Sequence, residues 1–144
     1  MKMLAKQAGF TLIEIMVVVI ILGVLGALVV PKIMSKPDQA RIVAAQADIR
    51  NIGSTLDMYK LDNFNYPSTA QGLQALVTKP SGTPEAKNWN VDGYLKKLPI
   101  DPWGNPYLYI SPGAHGAFDL YSWGADGKEG GEDKGKDIVS WEVL

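Results

Sequence analysis

"GFTLIEIMVVVIILGVLGALVVP", residues 9–31, is an apolar run that carries one carboxylate, Glu14, near its start. From Phe10 to Val30 only Thr11 and Glu14 are plainly polar. About 20 apolar residues at 1.5 Å rise match a hydrocarbon core of roughly 30 Å, so the run reads as a single membrane span. A cleavable secretory signal is the rival, because Lys2 and Lys6 provide a basic start. The apolar region of such a signal is usually about 7–15 residues long and ends in small residues, whereas this run continues into "VVPKIM". Retention is therefore expected. A charge at bilayer depth costs several kcal/mol, so Glu14 needs either a partner or a route to the headgroups at the end of an ordinary anchor. Lys32, Lys36 and Arg41 follow the run much as Lys2 and Lys6 precede it, and charge leaves the orientation open.

The whole chain has 144 residues and a net charge of −1, with no dense Lys/Arg tract, which argues against a nucleic-acid partner. It has no cysteine, which excludes disulfides, thiolate catalysis and cysteine metal sites. His115, in "SPGAHGA", is the only histidine, and no nucleophile elbow, phosphate loop or histidine metal motif occurs. Composition thus points away from an enzyme.

Gly23 and Ala27 have the small-xxx-small spacing that lets helices approach closely in membranes. Gly23 and Gly26 each cost roughly 1 kcal/mol against Ala inside a helix, and Pro31 removes a hydrogen bond. The stretch from Gly23 to Pro31 is the weak part of the helix, where a simple kink is one reading. From Pro37 to Asp62 the pattern predicts a long amphipathic helix, with Ile42, Ala45, Ile49, Ile52, Leu56 and Tyr59 forming one stripe. "DNFNYPSTAQG" ends it near Asn63, and Ser68 or Thr69 is placed to cap a short helix through about Val77. A long irregular connection follows. "NPYLYI", "AFDLYSW" and "DIVSW" then read as about three antiparallel strands.

A basic leader ending in Gly9, followed by "FTLIE" opening an apolar helix, resembles the prepilin signature of type IV pilins and of the type II secretion pseudopilins. The resemblance implies a leader (1–9) removed by a prepilin peptidase, which cuts between Gly9 and Phe10 and methylates the new N-terminus. It implies a hydrophobic transmembrane and assembly helix (10–31) that includes Thr11, Glu14 and Pro31, and a periplasmic globular domain (32–144). The implied fold is α+β and pilin-like: a long N-terminal helix, half membrane and half amphipathic, on a small antiparallel sheet with a C-terminal calcium loop. Cleavage would create an amine on Phe10, and Glu14 of one subunit would meet that amine in a neighbour. Each charge would then relieve the other.

"IDPWGNPYLY" carries a second resemblance, with Pro102 to Tyr107 looking like the segment typical of major type II pseudopilins. Physically its prolines and glycine fix a turn over Trp103 and Tyr107, a structural role, with a binding platform on Trp103 as the rival. "WGADGKEGGEDKGKDIVSW" holds five acids, Asp126, Glu129, Glu132, Asp133 and Asp137, among glycines. Hard oxygen ligands on a flexible backbone suit Ca²⁺, but the EF-hand spacing is absent and lysines interleave, so a solvated loop is an equal reading of composition. The resemblance implies calcium, with Asp126 and Asp133 as ligands, the Trp123 carbonyl beside them, and Asp137 or Glu132 completing the set.

The implied function is that of a structural subunit polymerising into the periplasmic pseudopilus of a type II secretion system, which drives folded proteins across the outer membrane. The implied partners are other copies of the chain, minor pseudopilins, the prepilin peptidase, an inner-membrane assembly platform and an outer-membrane secretin. The implied location is the inner membrane, crossed once. A surface type IV pilin and a monomeric membrane-anchored binding module are the alternatives.

Overall fold

The computed structural model describes residues 9–34 and 36–144, and the side chains of all of these except 28–34, 36 and 134. The leader expected over residues 1–9 therefore lies outside the described residues except for Gly9. The chain forms two compact units, one ending at Pro37 and the other spanning Asp38–Leu144.

In the first unit, α1 runs over Leu12–Met34. Its 23 residues measure about 35 Å at 1.5 Å per residue. The helix does not stop at Pro31 but continues to Met34. Pro31 lacks a helical N–H and crowds the preceding turn, and the helix runs through it.

α2 spans Lys36–Asn63, so Pro37 is its second residue, still within the turn whose N–H groups have no helical acceptor. The expected stripe is the core: Ala45, Ile49, Ile52 and Leu56 are fully buried, Tyr59 nearly so, and Ile42 packs at its edge. Asn63 ends the helix inside the fold. Its amide donates to the Tyr59 carbonyl and to the Tyr94 hydroxyl, each at 3.0 Å, and its Oδ1 accepts from the Asn88 N–H at 3.1 Å.

The short helix expected from Ser68 to Val77 is instead a turn followed by one 3₁₀ turn, η1, over Leu73–Leu76. The cap itself forms: the Ser68 hydroxyl accepts from the Gln71 N–H at 3.3 Å and the Gln71 side chain accepts from the Ser68 N–H at 2.9 Å. Gly72, at φ 61°, then breaks the helical path. The Gln71 amide instead anchors the irregular connection through the Ser81 and Pro84 carbonyls.

Three strands form an antiparallel sheet in sequence order: β1 Leu108–Ile110, β2 Asp119–Ser122 and β3 Ile138–Val139. Tyr121 is the register point, opposite Leu108 on one side and Val139 on the other. Tyr109, Leu120 and Ile138 join the α2 stripe in one core. The third strand is shorter than "DIVSW" predicts, because the chain coils at Ser140 into a single helical turn, α3, over Ser140–Val143. The Ser140 hydroxyl takes the Leu120 N–H at 3.1 Å and so replaces the next backbone rung of the ladder.

Candidate functional site

The N-terminal candidates come first. Gly9 and Phe10 precede the helix and are exposed, Phe10 at 78%. Thr11 caps α1, a role that sequence reasoning missed although T-x-x-E is a capping signature. Its hydroxyl accepts from the Glu14 N–H at 3.4 Å and its carbonyl from the same group at 3.1 Å. Glu14 lies in the first turn, where the helix dipole favours a carboxylate by about 0.3–1 kcal/mol. That is less than the several kcal/mol of a charge at bilayer depth, so the cap alone does not account for Glu14 in an apolar setting. Apolar side chains project on every side of α1: Ile13, Met16, Val17, Val18 and Val19, which together go round the helix, are all exposed. Among the described residues no helix is long and apolar enough to cross a membrane, and the described side chains of α1 reach only as far as Ala27.

The acidic loop is closed on itself by its own backbone. Gly124, at φ 63°, passes the Lys136 carbonyl so closely that a Cβ there would lie 2.7 Å from that oxygen. A Cβ on Gly131 would collide with the Gly135 carbonyl, and one on Gly135 would lie 2.9 Å from Asp126 Oδ2. Asp126 thus folds in against Gly131 and Gly135, while its Oδ1 accepts from the Lys128 N–H at 3.1 Å. Asp137 reaches across the loop to accept the Gly130 N–H on Oδ2 at 2.9 Å. Its Oδ1 is buried and has no hydrogen-bond partner among the described residues.

Glu132 and Asp133 are exposed and begin a 3₁₀ turn, η2, over Asp133–Gly135, in which Asp133 takes the left-handed φ of 52°. Among the described residues no three carboxylate or imidazole side chains gather into a metal-ligating group. The carboxylates of Asp126, itself exposed, and of half-buried Asp137 lie against the loop's own backbone, and Glu132 and Asp133 are exposed.

Beside the loop lies a hub that sequence reading passed over. Asp101, buried, accepts the Trp103 and Asn105 N–H groups on Oδ1 at 3.0 and 2.7 Å, and the Ser122 hydroxyl on Oδ2 at 2.6 Å. Ser122 in turn accepts the Gly124 N–H at 3.1 Å, which ties the start of the acidic loop to the "DPWGNP" turn. Trp103 packs on the core. The Tyr107 hydroxyl donates to Asp48 on α2 at 2.8 Å, and burial followed by that carboxylate pushes its pKa far up. The segment is structural in this fold.

His115 is a loop residue with a defined place. Its Nδ1 lies 3.0 Å from Asp119 Oδ2, and its ring stacks on Trp141 at 3.7 Å. Burial would raise the Asp119 pKa; hydrogen bonds from the His115 ring and from the Ala114 and His115 N–H groups outweigh it and hold the carboxyl below its ordinary value.

Residues 32–141 match the family described as "Type II secretion system (T2SS), protein G", and residues 4–30 the "Prokaryotic N-terminal methylation motif". The chain belongs to the type II secretion system protein G family. Type II secretion system core protein G of Pseudomonas aeruginosa is 69% identical over 137 residues, covering 95% of this chain and 96% of the relative. The protein of that name from Vibrio cholerae is 53% identical over 143 residues, covering 99% and 97%. A crystal structure of the major pseudopilin from the type 2 secretion system of enterohaemorrhagic Escherichia coli matches with a TM-score of 0.70 at 45% identity. It covers 80% of this chain and 98% of that one. The pilin-like α+β fold and the family expected from "GFTLIE" and "DPWGNP" are both borne out. Protein G family members are structural pseudopilin subunits, which places this chain among secretion-system assembly proteins and outside the enzymes.

Proposed function

We propose that the chain is cut between Gly9 and Phe10, held in the inner membrane by residues 10–31, and polymerised into a periplasmic pseudopilus. One observation carries this reading: α1 displays apolar side chains all round, with a single acid in its first turn. A helix of that kind is stable only when lipid or other helices surround it. Glu14 of one subunit pairs with the Phe10 amine of a neighbour, which rewards axial register, because a misplaced subunit leaves a buried charge uncompensated. The prepilin peptidase acts on the leader, and the assembly platform, minor pseudopilins and secretin handle the growing fibre. This chain supplies geometry and cohesion. Intact mass of the membrane-extracted protein tests the processing: a chain beginning at methylated Phe10 is the expected result, and one beginning at Met1 overturns it.

The acidic loop is proposed to hold Ca²⁺. The buried, unpartnered Asp137 Oδ1 and Asp126, whose Oδ2 lies beside Gly131 and Gly135, support this, since hard oxygens on a glycine-rich backbone fit that cation. Asp126 and Asp137 would serve as ligands, with the Trp123 carbonyl, Asp133 and Glu132 as the remaining candidates. Bound calcium would neutralise the loop's carboxylates and stabilise the native state by mass action, by about 2.7 kcal/mol at a hundredfold excess over Kd. EGTA is expected to lower the Tm by several degrees; an unchanged melt would contradict the site.

A further inference from the structure

Along the sheet, Ile110, Asp119, Tyr121 and Val139 share one face, because strand side chains alternate and the register sets Ile110 opposite Asp119 and Tyr121 opposite Val139. On that face lies a cavity of about 220 Å³ whose lining includes Tyr121, Trp123, Trp141, Glu129 and Asp137. Its aromatic walls are inclined to one another: Tyr121 stands 6.4 Å from Trp141 at 61° and 6.5 Å from Trp123 at 43°. His115, stacked on Trp141, holds that ring in place. Trp123 and Trp141 remain 36% and 42% exposed. Three acids line the cavity, Asp119, Glu129 and Asp137, and among the described residues lining it there is no lysine or arginine.

We propose that this cavity receives an arginine side chain of a partner polypeptide. Three features fit that occupant. Tryptophan and tyrosine faces attract a cation within about 6 Å. A planar guanidinium stacks on an aromatic face while its N–H fork reaches a carboxylate, which an ammonium does less well. The cavity falls below the roughly 300 Å³ at which small-molecule clefts begin, and suits one long side chain. Asp119 is already engaged by His115 and by two backbone N–H groups, and Asp137 is a proposed calcium ligand, which leaves Glu129 as the lining acid that reaches the guanidinium.

The test uses the full chain in a neutral detergent with saturating calcium chloride. The probe is acetyl-Gly-Arg-Gly-amide, read through the indole N–H signals of the protein's four tryptophans. Saturable shifts of the Trp123 and Trp141 signals, with Trp89 and Trp103 unmoved, are expected. Glu129→Gln and Tyr121→Leu should each weaken binding, the latter by about two- to fivefold, the equivalent of 0.5–1 kcal/mol per exposed cation–π contact. Glu129 lies outside the proposed calcium ligands, so its effect separates this cavity from the metal loop. Equal shifts with acetyl-Gly-Gln-Gly-amide would overturn the proposal, as would shifts with an N-acetylglucosamine trimer and none with the arginine peptide. Unchanged affinity in both variants, with their spectra otherwise native, would also overturn it.

Discussion

Two helices of one chain treat the same kind of side chain in opposite ways. Along α2, Ile49, Ile52 and Leu56 are fully buried by the sheet and loops of their own unit. Along α1, Ile13 is 70% exposed and Ile20 61%. At roughly 25 cal/mol per Å² of apolar surface, the first arrangement stabilises the subunit, and the second is a stabilisation still to be gained from lipid or neighbouring helices. The division teaches that folding of Asp38–Leu144 and the proposed assembly through α1 would draw on separate surfaces, so substitutions should sort cleanly between them.

The sharpest way to break that comparison is a matched pair of truncations. Ile49→Ala should lower the unfolding free energy of the Asp38–Leu144 unit by about 2–5 kcal/mol in urea, through lost burial and a cavity. Asp101→Ala comes next, at about 1–3 kcal/mol, since it leaves the N–H groups of Trp103 and Asn105 and the Ser122 hydroxyl without their acceptor. Its denaturation midpoint should fall while residues of α1 report no change.

Tyrosine ionisation at alkaline pH should act on the second unit, because α1 contains no tyrosine. Burial pushes the pKa of Tyr109 to about 12, and burial with Asp57 does the same for Tyr66. A folded-state pKa above the unfolded value near 10 gives stability that is present below pH 10 and lost as pH climbs toward 12. Urea midpoints measured from pH 9 to 12 should fall, and Tyr109→Phe should flatten the decline. Thr11→Ala removes the α1 cap, worth about 1 kcal/mol of helix stability, and should fray the start of α1 in amide exchange without moving the midpoint of the other unit. The smallest effect belongs to Ile20→Ala, which should leave that midpoint within about 0.5 kcal/mol.

Much of this was legible in the residues. The α2 stripe, the three strands and the family could be read because periodicity, turn formers and the "GFTLIE" and "DPWGNP" segments act locally. Less legible were features decided by distant partners. Ser140 looked like strand until its hydroxyl was seen to take the Leu120 N–H. Asp101 drew no separate reading in the sequence, and its grip on Ser122 joins residues 21 positions apart. The five acids of the glycine-rich loop carried no signal to separate Asp126 and Asp137, whose carboxylates accept backbone N–H groups of the loop, from Glu132 and Asp133. That sorting comes from the close approach of Gly131 to Gly135 and of Gly124 to Lys136, set by the loop's closure.

The central claim is that α1 is an assembly surface whose lone acid is relieved by a neighbouring subunit. Its most direct measurement is the yield of sedimentable filament from cells expressing Glu14→Leu beside the wild type at equal subunit levels. A leucine there removes the charge and keeps the helix apolar, so anchoring should persist while filament is lost. Wild-type filament yield and secretion from Glu14→Leu cells would contradict the account.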